Sequence, residues 1–231
     1  DAVLLNGFHY FESLDEAYLK GVRKQAKNLG VEVRIGAGGI SAGAKSFKDR
    51  YGSPEEALAM GVKLAKIFDT SVVNCRIGNI DDRYGDGGIE ARLDEAADTM
   101  LAVRSRAMDT GVKFAFENHA GDTRSEEILG LIERVGSDLC GVMLDPGNAL
   151  WAMEDPMVHL EKLGEHALCM SVRDYMLWPT PEGAMLQWTA VGEGLMDVKG
   201  FVSLLQRKCP DVPLFVESIS NSPRPLDSDL G

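Results

Sequence analysis

Short apolar runs alternate with stretches of helical period along almost the whole chain, and this alternation restricts the fold more than any other feature. The runs are Ala2–Asn6, Val31–Ile35, Ser71–Cys75, Val112–Phe116, Cys140–Leu144, Ala167–Val172 and Pro213–Val216. Most read as continuous apolar segments, the pattern of strands buried on both faces of a parallel sheet. Between them lie helices with recognisable ends. Ser13-Leu-Asp-Glu16 has the spacing of a capping box and opens a helix that should run to Asn28. Ser53-Pro-Glu-Glu56 opens another that reaches Phe68. A long helix is expected over Glu90 to Thr110, with Leu93, Ala97, Met100 and Leu101 as its apolar stripe. Ile128, Leu131, Ile132 and Val135 mark the next, and Asp155-Pro156 starts one that carries Leu160 and Leu163. Asp197 caps the last, with Val198, Phe201, Val202 and Leu205 inward. A βα repeat without a linker predicts one α/β domain over 1–220, and its period favours a (β/α) TIM barrel over a doubly wound sheet. Only seven strands are signalled, so either the first βα unit is absent or truncated or one strand has no clear pattern. The Ser-, Pro- and Asp-bearing tail, 221–231, is expected to be loop or disordered.

Several strand signals end in an acid. Phe114-Ala-Phe-Glu-Asn-His-Ala120, Val142-Met-Leu-Asp-Pro-Gly-Asn148, Ala167 to Asp174 and Val212-Pro-Leu-Phe-Val-Glu-Ser218 would bring their carboxylates to one ring at the C-terminal mouth, where α/β folds place their ligands. Singly, such an acid is as well explained by loop solvation. The stretch Tyr175 to Gly194, with Trp178, Gln187 and Trp188, is expected to be a long functional loop over that mouth. Asn79 to Gly88 reads as a polar loop without the spacing of a calcium site. His9 faces the same mouth, whereas His159 and His166, on or after a helix, are expected at the surface.

The formal net charge of -12 argues against a nucleic-acid surface and against anionic membranes. Cys75, Cys140, Cys169 and Cys209 form no CxxC pair and read as buried thiols, which favours a reducing, cytoplasmic setting.

Taken together, Phe116-Glu-Asn-His119, Leu144-Asp-Pro-Gly-Asn148, Ser171-Val-Arg-Asp174, Val191-Gly-Glu-Gly194 and Phe215-Val-Glu217 resemble the xylose isomerase-like TIM-barrel family of sugar isomerases, epimerases, related dehydratases and lyases. The resemblance aligns Ala2–Asn6 with the family's second strand, so the first βα unit is the one expected to be missing. It implies one divalent cation, Mn²⁺ or Mg²⁺, held by Glu117, Asp145 and Glu217. The family's fourth ligand is a histidine, and here that position is Ser171, which should weaken the metal site. The implied activity is isomerisation, epimerisation or elimination on a small sugar or keto-sugar through an enediolate, with Glu117 and Glu217 as acid and base. His119, Asn148, Arg173, Gln187, Trp178 and His9 are the expected substrate contacts, and a homo-oligomer is compatible with an incomplete barrel. The competing expectation is a ligand-binding or partner barrel that keeps the pocket but has lost a strong metal site. A DNA-repair endonuclease would need a histidine-rich multi-zinc centre, which four histidines do not supply.

Overall fold

In the computed structural model, which describes residues 1–217 and 222–226, the seven expected strands form one parallel sheet. They are β1 (Ala2–Leu5), β2 (Glu32–Gly39), β3 (Val72–Arg76), β4 (Lys113–Glu117), β5 (Cys140–Leu144), β6 (Ala167–Val172) and, later in the chain, β9 (Leu214–Val216). Their spatial order is β1-β2-β3-β4-β5-β6-β9, which is the order in sequence, so each crossover places the next strand beside the last. The sheet curls until β1 and β9 approach each other without a hydrogen-bonded ladder. The result is a nearly closed barrel with seven parallel strands among the described residues. The two unpaired edges carry apolar side chains: Val3 is exposed, and so are Leu214 and Val216.

The helices pack outside. They are α1 (Glu16–Asn28), α2 (Pro54–Phe68), α3 (Ile80–Arg83), α4 (Gly88–Ala102), α5 (Arg104–Thr110), α6 (Ser125–Val135), α7 (Pro146–Ala149), α8 (Pro156–Leu163) and α9 (Val198–Lys208). Ser53 and Glu56 form the expected capping box of α2, and the Asp155 and Asp197 side chains cap α8 and α9. At α1 the box fails. The Ser13 hydroxyl is engaged with Asp15, and Asp15 is the N-cap. The expected 90–110 helix is two helices. Val103, buried and at φ -103°, ψ 6°, turns the chain so that both Met100 and Ala107 reach the core. Leu101 and Val202 are exposed, so each stripe is narrower than expected, and Ala96 and Leu204 are buried instead. The Asn79 to Gly88 loop contains α3, whose buried Asp82 accepts from the backbone N–H groups of Lys45 and Asn79.

The largest difference concerns 174–189. These residues form an antiparallel hairpin, β7 (Asp174–Thr180) and β8 (Gly183–Thr189), joined through Pro181 and Glu182. β10 (Arg224–Leu226), inside the stretch expected to be loop, adds a third strand against β8 and buries Leu226. Residues 221 and 227–231 of that tail lie outside the described residues. His159 also departs from expectation: it is fully buried, because Ser125 and Glu154 supply partners for its Nδ1.

A two-residue period separates the barrel interior from the helix-facing core. Val72, Ala115, Met143 and Cys169 fill the interior, with Leu4 and Phe215 against them. Phe114, Phe116, Val142, Leu144 and Met170 belong to the core under the helices. Two residues beyond the interior layer, on the same face, stand Asn6, Glu117, Asp145, Ser171 and Glu217. That is why a short apolar strand ending in an acid delivers its carboxylate to the mouth. All four cysteines are free and buried. Among the described residues no helix is long and apolar enough to cross a membrane.

Candidate active site

Strands β4, β5, β6 and β9 bring Glu117, Asp145, Ser171, Arg173 and Glu217 together at the C-terminal mouth. Two neighbouring strand ends are clamped before any ligand is considered. The Asn118 side chain donates to the Asp145 carbonyl at 2.8 Å and accepts from its N–H at 2.9 Å. Asp145 is fully buried. Its carboxylate accepts from the Asn148 backbone at 2.9 Å and from the Asn148 amide at 3.0 Å. Asn148, expected to meet substrate, thus supports Asp145.

Arg173 is the central cation. Its Nε donates to Asp145 at 3.1 Å, and its Nη2 donates to both Asp145 and Glu217, the latter at 2.7 Å. The guanidinium also lies over the Trp188 ring, 4.6 Å from its centroid, and Trp151 meets the same ring edge-on. Trp188, rather than Trp178, is therefore the aromatic wall of the site. Trp178 and Gln187 are half-buried on the hairpin, opposite Met185 and Met176 respectively. The neighbouring Asp174 has a structural task. Its carboxylate accepts from the backbone of Tyr175, Gly192, Gly194 and Met196, which fixes the Val191-Gly-Glu-Gly194 turn to the base of the hairpin.

Glu117 is nearly sealed from solvent, at 3 % exposure. Burial raises its pKa to about 8, against the opposing field of Arg76 and with Asp145 and Glu217 adding to the rise. Arg76 Nη1 is 3.9 Å from its Oε2, and the Asn6 amide is 3.5 Å from the same oxygen. Glu217 is more open, and burial raises its pKa despite Arg173. His119 bonds the Gly78 carbonyl through Nδ1. Burial and Arg76 lower its pKa to about 4, so the ring is neutral near pH 7. Asp122 accepts from the backbone of Gly78 and His119 and holds this turn in place. Burial raises its pKa to about 6. The Ser171 hydroxyl is buried with no hydrogen-bond partner among the described residues.

His9 lies apart from the acids, exposed and tilted against Tyr10, and lines a cleft shared with Asn6, Arg76 and His119. Asn6, Arg76 and Asn118 carry functional weight that the acid-at-strand-end signal did not find. Each lies at or just beyond the end of its strand, and reading every polar residue there, not only acids, would have found them.

The chain matches the xylose isomerase-like TIM barrel family over residues 1–230 and belongs to it, a family of enzymes. It is 20 % identical over 164 residues to the 3-oxo-isoapionate decarboxylase of Pectobacterium atrosepticum, covering 71 % of this chain and 52 % of that protein. The chain thus spans about half the length of that relative. Its fold resembles a D-psicose 3-epimerase crystallised with D-fructose, with a TM-score of 0.71 at 15 % identity over 99 % of this chain and 78 % of that one. It also resembles a xylose isomerase-like TIM barrel protein from Mycobacterium smegmatis in complex with magnesium, with a TM-score of 0.69 at 15 % identity, covering 91 % and 74 % of the two chains.

Proposed function

We propose that this mouth moves a proton at the carbon beside the carbonyl of a small sugar or keto-sugar, as an isomerase, epimerase or related lyase working through an enediolate. The observation that carries the reading is a pair of carboxyl groups, Glu117 and Glu217, each set against a guanidinium at the barrel mouth, Glu117 sealed from water and Glu217 partly open. One carboxylate removes the proton and the other returns it. The Arg173 and Arg76 guanidiniums, held in place before substrate arrives, stabilise the oxygens on which charge develops. His119 and His9 flank the approach, Trp188 walls the hairpin side, and Gln187 offers an amide to a hydroxyl. The 3-oxo decarboxylase relative fits the same chemistry, since loss of carbon dioxide from a 3-oxo acid also leaves an enolate.

The family resemblance further implies a divalent cation, Mn²⁺ or Mg²⁺, on Glu117, Asp145 and Glu217. The side chains present do not fit it. Arg173 already spans Asp145 and Glu217, and Arg76 faces Glu117. Two guanidiniums already set against these three acids make the site a poor match for a dication. No three His, Cys, Asp or Glu side chains among the described residues converge on a common point. Ser171 offers a hydroxyl where a metal of this kind would gain an imidazole. No step is therefore drawn through a metal. The Arg173 contact and Ser171 also favour the second reading, a barrel that binds a sugar without turning it over.

Hydrogen exchange separates the two. A panel of ketoses and keto-sugar acids is incubated with chelator-treated protein in deuterium oxide and followed by proton NMR. Exchange at the carbon beside the carbonyl supports the first reading, and Glu117→Gln should reduce it by about 10²- to 10⁴-fold. Binding without exchange across the panel supports the second.

A further inference from the structure

The cleft that opens onto Glu117 from the β1–β3 side has a charge opposite to that of the whole protein. Its volume is about 360 Å³, within the range of small-molecule sites. Lys48, Arg50 and Arg76 line it, together with His9, His119 and Asn6, and among the described residues no Asp or Glu does. This occurs in a chain with 36 acidic and 24 basic residues. Asp49, between the two cations in sequence, is not among the lining residues. Six arginines elsewhere, Arg23, Arg34, Arg83, Arg92, Arg104 and Arg134, each pair with a carboxylate, whereas Arg207 bonds only the Ser203 carbonyl. Lys48 and Arg50 have no carboxylate partner among the described residues, although acids outnumber bases.

The segment that carries them is anchored at both ends. On one side Asp82 accepts from the Lys45 backbone and from the Ser46 hydroxyl. On the other, Tyr51 packs edge-on against the buried Phe8 at 5.0 Å. Lys48 and Arg50 are thus held beside the cleft by a fixed loop. The cleft is also continuous with the reacting end. Asn6 and Arg76 line it, and both reach the same Glu117 oxygen. A sugar with its reactive carbon at Glu117 would extend its far end toward Lys48 and Arg50.

We propose that the substrate is an anionic sugar, with a carboxylate or phosphate at the end remote from the reacting carbon, and that Lys48 and Arg50 bind this group with help from Arg76. The assignment rests on the sugar reading above and adds the charge of the substrate. A cationic cleft in an acidic protein focuses the local field on such a ligand, which the protein's overall charge would otherwise repel. Forked guanidinium donors suit either oxyanion.

The test is calorimetric binding at low and moderate salt with three probes: D-fructose, D-gluconate and D-fructose 6-phosphate. Inorganic phosphate is a control. Wild type, Lys48→Gln/Arg50→Gln and the conservative Arg50→Lys are compared after their melting curves have been matched. The expected result is at least one anionic probe binding about tenfold or more tighter than D-fructose, with the preference weakened by salt. The double variant should reduce that probe to the level of D-fructose without weakening D-fructose itself, and Arg50→Lys should keep part of the preference. Preference for D-gluconate alone assigns a carboxylate, and for the phosphate ester alone a phosphate. D-fructose binding as tightly as both anionic probes, or an anion preference that survives the double variant, overturns the proposal and leaves the sugar reading intact. Inorganic phosphate binding through Lys48 and Arg50 with no sugar probe bound keeps the anion site and overturns the sugar reading. No binding by any probe overturns both.

Discussion

Replacing Arg173 by methionine tests whether this guanidinium holds the place of a metal. Arg173 is buried between Asp145, whose side chain has no solvent exposure, and Glu217, whose side chain is 37 % exposed. Removing one partner of a buried pair costs about 3–5 kcal/mol, because the remaining charge is left without compensation. Asp145 would still accept from the Asn148 backbone and amide, which places the loss near the lower end, about 3 kcal/mol. In a chain of this size that lowers the melting temperature by roughly 6–12 °C. The variant also leaves Asp145 and Glu217 free to meet a cation with Glu117. Mn²⁺ at a hundredfold its dissociation constant would then restore about 2.7 kcal/mol. Wild type, with the guanidinium in place, should gain much less. Thermal unfolding of both proteins with chelator and with a Mn²⁺ series measures all of this. The reasoning is refuted if Arg173→Met melts with wild type, or if wild type gains as much from Mn²⁺ as the variant.

Three further outcomes are expected. Asn118→Ala removes both side-chain bonds to the Asp145 backbone and leaves the buried Asp145 N–H without its partner, so chemical denaturation should show a loss of about 1–3 kcal/mol. Burial alone would raise the Glu154 pKa, but bonds from His159 and Ser125 outweigh it and hold the pKa below its ordinary value. The linked stability is therefore present above the ordinary glutamate range and lost as pH falls through the lowered pKa. Glu154→Gln should be about 1–2 kcal/mol less stable than wild type at neutral pH, and the two should converge in acid, as denaturation at several pH values would record. At Gly36 an added methyl would stand 2.8 Å from the Asn6 Cα and closer still to its amide oxygen. Gly36→Ala should push β1 outward, cost about 1–3 kcal/mol by melting, and loosen the Asn6 contact with Glu117, read as weaker ligand binding.

Much of the barrel was legible because its strands are buried on both faces and its helices carry end signals. Seven apolar runs became seven parallel strands, and the Ser53, Asp155 and Asp197 caps stand where their spacing put them. The 174–189 hairpin was not legible. Its two prolines and mixed pattern read as loop, and only the docking of Trp188 on Arg173 and of β10 on β8 gives those residues a reason to be extended. His159 was misjudged for a related cause: its sequence neighbours do not reveal that Ser125, from another helix, will bond its Nδ1.

The sequence by itself determined the period of the fold and the strand ends that reach the mouth, because an alternation of two in a strand fixes which residues share a face. Only the tertiary structure decided what those residues do to one another. Asn148 supports Asp145, Asp174 anchors a turn, and Arg173 lies between two acids that the family resemblance assigned to a metal. The last of these depends on distances between side chains on different strands, and a linear pattern carries no record of such distances. The same holds for the cleft, where the Lys48 and Arg50 pair after β2 meets Arg76 of β3 only when β1, β2 and β3 stand side by side.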